Sequence, residues 1–356
     1  MPSFNSLQPF GWTSSFLNCL PENCIPGRIL SDFGREFLVK FPDTECRAIL
    51  SGSVFTREET PIIGDWIFVH ELSDSSKPVI SGILPRYNIL FRKKPGKLGK
   101  QFLGANLDYC FLMQGLDDDY NLSRLERFLG LSLDAGIPPV VVLNKRDIAV
   151  ELMEKVASVR ELLPPSVPIF TISAKTGEGM EELQSFLQTG TTIAVLGSSG
   201  AGKSTFLNTL LGEETQKTNE VRQDDSKGRH TTVHRELFLL PQGALLLDSP
   251  GIRELQLWEP GKSNGTAFPD ILELAQKCKF RDCQHQEEPG CAVREALELG
   301  ILSERRYKNY LKLQKEEKYL RQLGDEVEAR KKRQEDKKLH KLIRRTMKNK
   351  KKNRFG

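Results

Sequence analysis

The sequence predicts a multi-domain α/β protein: a small all-β barrel, then a doubly wound parallel sheet, then a cysteine-bearing helical segment with a basic tail. Three observations predict it. Residues 27–92 read as short strands broken by turn residues. From about 105 onward, buried-type strands alternate with helical periods. Three of the seven cysteines, Cys278, Cys283 and Cys291, crowd together near the C-terminus.

The chain has 356 residues, 38% apolar and 28% charged, a soluble globular balance with length for two or three domains. No stretch approaches the ~18 apolar residues of a membrane span. The first residues lack a basic region followed by an apolar block, so neither a secretory signal nor a membrane is expected, and a cytoplasmic location is the default. Net charge is +5, yet residues 331–356 alone hold thirteen Lys/Arg against two Asp/Glu. The body is therefore net acidic, and the tail is a solvated block suited to polyanions. An odd, clustered cysteine set argues for reduced thiols and a metal site, not for a disulfide framework.

In chain order, residues 1–24 read as an irregular lead-in. Strands follow at Arg28-Ile29-Leu30, 36–40, 47–50, 65–69 and 79–84, separated by Asp32, Gly34, Pro42-Asp43, Gly52 and Pro61. Five short strands fit a barrel of the OB or SH3-like kind. The next strands are 109–113 and 139–143. Between them Leu122, Leu125, Phe128, Leu129 and Leu133 recur at helical spacing, and Gly136 closes that helix. A helix over 151–163 stops at Pro164-Pro165. Strand 168–172, helix 178–187, strand 192–196, helix 203–211 and strands 235–240 and 244–247 complete a doubly wound pattern. After Gly251 come a linker, the cysteine cluster and helices from Val293. Tyr307, Tyr310, Leu311, Tyr319, Leu320 and Leu323 form the last apolar face.

The strongest motif is Gly197-Ser198-Ser199-Gly200-Ala201-Gly202-Lys203-Ser204, which fits GxxxxGK[ST] between a strand and a helix. Successive N–H groups there turn inward around phosphate oxygens at the positive end of the helix that follows. Lys203 would reach the β- and γ-phosphates and Ser204 would ligate Mg²⁺, with Thr205 also beside the nucleotide. Asn144-Lys145-Arg146-Asp147 follows the strand ending at Leu143. In an NKxD loop the carboxylate accepts from guanine N1–H and its 2-amino group, whereas adenine presents an acceptor there and is repelled. Ser173-Ala174-Lys175 follows the strand ending at Ile172, and the Ala174 N–H would meet guanine O6. Together these loops select GTP over ATP. Asp248-Ser249-Pro250-Gly251 would hold Mg²⁺ through water and sense the γ-phosphate through the Gly251 N–H. In Gly228-Arg229-His230-Thr231-Thr232, either Thr231 or Thr232 is the expected Mg²⁺-closing switch ligand.

Two departures carry consequences. The guanine-reading loops precede the phosphate loop, so the strands connect in a permuted order and the Gly251 switch leads directly into the C-terminal module. Many GTPases place a Gln after the DxxG glycine, but this chain has Ile252, which cannot orient water. Water positioning must then come from His230 or from a partner, with slow intrinsic turnover. Cys278, Cys283, His285 and Cys291 supply three thiolates and one imidazole, a closed tetrahedral set that reads as one structural Zn²⁺.

The ordered set NKRD, SAKTGEG, GSSGAGKST, GRHTT, DSPG and C-x4-C-x-H-x5-C, behind a five-stranded barrel, resembles the bacterial ribosome small-subunit-dependent GTPase A family over about residues 25–300. The resemblance implies an OB-fold barrel at 25–95, a circularly permuted P-loop GTPase domain at 100–258, a zinc-binding helical domain at 259–325 and a basic tail at 326–356. It implies a GTP hydrolase that binds the small (30S) ribosomal subunit, through rRNA and proteins, and assists its late maturation. It also implies stimulation of hydrolysis by that subunit, followed by dissociation. His230 matches the histidine proposed as catalytic in the family. A monomer is expected. The rival expectation, an RNA-binding assembly protein with GTP as a static ligand, has Ile252 in its favour and Lys203, Ser204 and Asp248 against it.

Overall fold

The computed structural model describes residues 4–50, 60–72, 77–93, 100–212, 236–248, 268–315 and 318. Residues 1–92 with 100–256 form one compact unit, and 93–99 with 257–356 form a second.

The first unit is built on a twelve-stranded sheet. Its N-terminal part holds β1 (Ile25–Asp32), β2 (Glu36–Lys40), β3 (Glu45–Leu50), β4 (Trp66–Val69), β5 (Val79–Ile80) and β6 (Gly82–Ile83). β1 pairs antiparallel with both β2 and β4, and β2 pairs with β3. The expected fifth strand is split at Ser81. Its first half pairs parallel with β3 (Ile49↔Val79) and its second pairs antiparallel with β4 (Phe68↔Gly82). The ring therefore closes in the order 1-2-3-5-4, the OB arrangement and not the SH3-like one. Ile29, Phe37, Val39, Ile67, Val69 and Ile80 fill it and are almost wholly buried, while Trp66 is buried on the opposite face of β4.

The expected irregular lead-in holds a 3-10 helix (Asn5–Phe10) and one short helix, α1 (Ser14–Cys19). Trp12 stacks on Phe16 and meets Trp66 edge-on at 4.8 Å. Arg28, wholly buried in β1, donates to the Phe10 carbonyl and, at 3.1 Å, to the Asn106 carbonyl, and lies over the Trp66 ring. β7 (Ile89–Lys93) and β8 (Lys100–Ala105) pair as a two-stranded ribbon that the sequence reading did not include.

The α/β part contains β9 (Tyr109–Gly115), α2 (Leu122–Asp134), β10 (Pro139–Asn144), α3 (Leu152–Leu162), β11 (Ile169–Thr171), β12 (Thr192–Gly197), α4 (203–212), β13 (Glu236–Leu239) and β14 (Leu245–Asp248). Strand order is 11-10-9-12-14-13, parallel except for β13, and β13 pairs with β1 (Ser31↔Glu236). Alternate residues bury opposite faces. Phe111, Met113, Val140, Val142, Ile193 and Val195 pack with Phe206 and Leu210 of α4. Cys110, Leu112, Val141 and Leu143 are buried too, and α2 packs against β9 and β10. Burial of both faces is what near-continuous apolar runs in parallel strands require. Asn121 caps α2 by accepting from the Arg124 N–H. The helix expected over 178–187 is replaced by a 3-10 turn, Met180–Leu183, and further turns. These bury the same Leu183 and Leu187.

In the second unit α5 (Pro269–Ala275), α6 (Ala292–Glu298) and α7 (304–315) surround the cysteine segment. Phe268 meets Tyr310 edge-on, and Arg306 grips Asp270 with two bonds of 2.7 and 2.6 Å while lying over Phe268.

Candidate functional site

Three of the expected loops converge because each leaves the C-terminal end of a neighbouring parallel strand. That is where open α/β sheets bind ligands. Gly197 ends β12 at the centre of the parallel set, Asn144 ends β10, and Ser173 lies just beyond β11.

One side chain joins all three. Asn144, 2% exposed, donates from Nδ2 to the Ala201 carbonyl at 2.9 Å and accepts at Oδ1 from the Ala174 N–H at 2.9 Å. The Ala174 N–H, expected to face guanine O6, thus donates to Asn144 Oδ1. The Ala174 carbonyl accepts from Thr209 Oγ1 of α4 at 2.6 Å, tying the loop to the helix behind the phosphate loop.

Gly200 and Gly202 have φ of +93° and +91°, the left-handed turns that aim successive N–H groups inward. A Cβ on Gly202 would fall 2.2 Å from Asn144 Nδ2. Lys203 Nζ donates to the Gly197 and Ser198 carbonyls at 2.7 and 2.6 Å, so the ammonium sits across the mouth of the loop. Ser199, Gly200, Ser204 and Thr205 are exposed there. Asp147 is exposed, and its Oδ1 accepts from Ser173 Oγ at 2.7 Å. Arg146 pairs with Glu178 at 3.2 Å, while Lys175 points to solvent.

Residues that the sequence reading did not name complete the rim. The loop after β9 carries Asp117, which pairs with Lys145 Nζ at 2.5 Å, and Asp119, which accepts from Ser198 Oγ and from Arg124 at 2.6 Å. Their one signal in sequence is their place, directly after a buried parallel strand beside the phosphate-loop strand.

Asp248 is the last residue of β14, next to β12, and its side chain lies outside the described residues. His230, Thr231, Thr232 and Gly251, together with the basic tail, also lie outside them. A cavity of about 580 Å³ lined by Trp12, Phe16, Tyr87 and Asp108 adjoins Thr189–Thr191, at the opposite end of β12, and takes no part in this rim.

In the second unit Cys278, Cys283, His285 and Cys291 place their ligand atoms within 4.8 Å of one another. His285 Nδ1 is 3.6 Å from Cys278 Sγ and 3.5 Å from Cys291 Sγ. Two devices shape the loop. His285 takes φ +60°, and its carbonyl accepts from the Tyr307 hydroxyl. Glu288 accepts from the Gln284 and Gln286 N–H groups at 2.8 Å and from Glu287 at 3.1 Å, bonds that hold its carboxyl down at about 2. Burial, and then the two neighbouring thiols, push the Cys283 thiol up to about 11. Three sulfurs and one nitrogen at this spacing suit tetrahedral zinc.

The family model described as RsgA GTPase matches residues 83–258. A second model, ABC transporter, matches 180–348, a stretch that includes the phosphate loop. A protein named small ribosomal subunit biogenesis GTPase RsgA, from Leptospira interrogans, is 40% identical over 350 residues, 97% of each chain. One of the same name from Opitutus terrae is 39% identical over 353 residues, 94% of this chain and 96% of its own. The crystal structure of YjeQ from Thermotoga maritima superposes with a TM-score of 0.62 at 28% identity, covering 82% of this chain and 98% of its own.

Proposed function

The chain belongs to the RsgA GTPase family, and from that premise we propose that it binds the 30S ribosomal subunit, hydrolyses GTP there and dissociates afterwards. GTP hydrolysis is the family's activity, and the relatives' names give biogenesis of the small ribosomal subunit as its setting.

The observation that carries the reading is the Asn144 bridge between the base-reading loops and the phosphate loop. Asp147 accepts from guanine N1–H and the 2-amino group, with Ser173 Oγ holding its Oδ1. The 197–204 backbone wraps the β- and γ-phosphates, and the Lys203 ammonium moves from the Gly197 and Ser198 carbonyls onto phosphate oxygen. Ser204, Asp248 and one of Thr231 and Thr232 are the groups that would hold Mg²⁺. The chemistry it would supply there is neutralisation of phosphate charge. Ile252 leaves water positioning to His230 or to the subunit, which accounts for a need for stimulation. The cysteine–histidine cluster holds one structural Zn²⁺.

The barrel, the zinc-binding module and the basic tail meet rRNA chiefly through phosphate and shape. The protein acts as a cytoplasmic monomer. No helix among the described residues is long and apolar enough to cross a membrane.

Phosphate release with and without purified 30S subunits tests the proposal. Stimulation is expected. Turnover at background with subunits present would instead favour GTP as a static structural ligand.

A further inference from the structure

We propose that Asp117 is a positioning residue for guanine recognition, acting through Lys145; this rests on the nucleotide reading above. Its carboxylate Oδ2 lies 2.5 Å from Lys145 Nζ. Lys145 has φ of +69°, a left-handed conformation in which a non-glycine residue is strained. The partner that holds its ammonium, Asp117, lies outside the NKRD loop.

The loop that carries Asp117 is itself braced. The Leu116 N–H donates to the Asn144 carbonyl at 2.9 Å. The Leu116 carbonyl accepts from Lys155 Nζ at 2.6 Å, and the Tyr120 hydroxyl donates to the Lys155 carbonyl at 2.8 Å. Gln114 holds the Asp119 carbonyl at 2.7 Å. Gly115 keeps room for the pair, since a Cβ there would meet Asp117 Oδ1 at 2.5 Å and press toward the Lys145 stem. Burial raises the Asp117 carboxyl, but the hydrogen bond and charge of Lys145 outweigh it and hold the carboxyl below its ordinary value.

With its ammonium pinned by Asp117, the Lys145 side chain keeps one course, and its methylene stem offers apolar surface against which a flat base can lie. This contact does not read the base edge. Asp117 therefore governs how tightly a purine is held, while Asp147 governs which purine.

The test is the affinity of the full chain for GDP, IDP and ADP, measured by calorimetry on wild type, Asp117→Ala, Asp117→Asn, Lys145→Ala, Asp147→Ala and the Asp117→Ala/Lys145→Ala pair. Asp117→Ala should weaken GDP and IDP by the same factor, about tenfold for a lost charged hydrogen bond. Asp117→Asn, which keeps an acceptor, should recover part of that loss. Adding Asp117→Ala to Lys145→Ala should change nothing further. Full additivity of the two, or unchanged GDP affinity in Asp117→Ala, would overturn the inference. Wild type without any guanine preference would instead overturn the underlying reading. Loss of that preference in Asp147→Ala alone, with Asp117→Ala like wild type, would sink only this one.

Discussion

Asn144 hydrogen-bonds the Ala201 carbonyl at 2.9 Å across 57 residues of chain, and its other amide atom holds Ala174, so one primary amide sets the spacing of three loops. Both bonds are buried. Removing the amide leaves an orphaned carbonyl and an orphaned N–H, each costing about 1–3 kcal/mol. Asn144→Ala should therefore weaken GDP at least tenfold while the sheet still forms. Calorimetry with GDP, alongside far-UV circular dichroism, checks this. Wild-type affinity would remove the bridge from the account.

Gly202 faces the same amide from the other side. An alanine there is strained at φ +91°, and its methyl would displace Asn144 Nδ2. The left-handed conformation alone costs about 1–2 kcal/mol. Gly202→Ala should lower the thermal midpoint by several degrees and abolish nucleotide binding together. Gly200→Ala, equally left-handed but with nothing within 4 Å of its Cβ, should share the strain and retain more affinity. Equal affinity loss in the two variants would show that strain, and not the Asn144 contact, is what matters.

The phosphate loop, NKRD and SAK were legible because each is a contiguous string at the end of an apolar strand. The connection between them was not, since Asn144 finds its partners 57 and 30 residues away. Asp117 and Asp119 belong to no motif, and only the strand order puts them beside Lys145 and Ser198. The barrel strands showed in their turn residues, but its OB closure depends on the break at Ser81-Gly82, inside a run that otherwise reads as one apolar strand. Pro9 and Gly11 masked the short helical turns of 5–19, whose fold comes from burying Leu7, Trp12 and Phe16. The 178–187 helix was over-read because Leu183 and Leu187 share helical spacing, whereas Gly177 and Gly179, at φ +83° and +74°, start tight turns instead.

Arg28 links the lead-in to the sheet. Burial lowers its guanidinium to about 10, still charged at neutral pH, and it serves two carbonyls, of Phe10 and Asn106. Arg28→Met keeps the stem against Trp66 but strands both carbonyls. Stability should drop by about 2–4 kcal/mol, and protease cleavage within 4–19 should quicken. An unchanged denaturation midpoint with unchanged cleavage would refute this role.

All four candidate zinc ligands lie in the second unit, and every described residue assigned to the nucleotide lies in the first. A metal held there would have all four of its ligands within one unit. Around the cluster, the Glu288 bonds and the Tyr307 contact to His285 order a loop whose residues are mostly exposed, so metal–ligand bonds would add much to its stability. Protein purified without chelator should carry one zinc per chain by atomic emission. Stripping it should expose 268–315 to protease while GDP affinity of the first unit stays within about twofold, the additivity expected of sites that share no partner. Cys283→Ser should reproduce the stripped state. Metal-free protein with 268–315 still protected would show that hydrogen bonds and the Phe268–Tyr310 packing suffice without zinc.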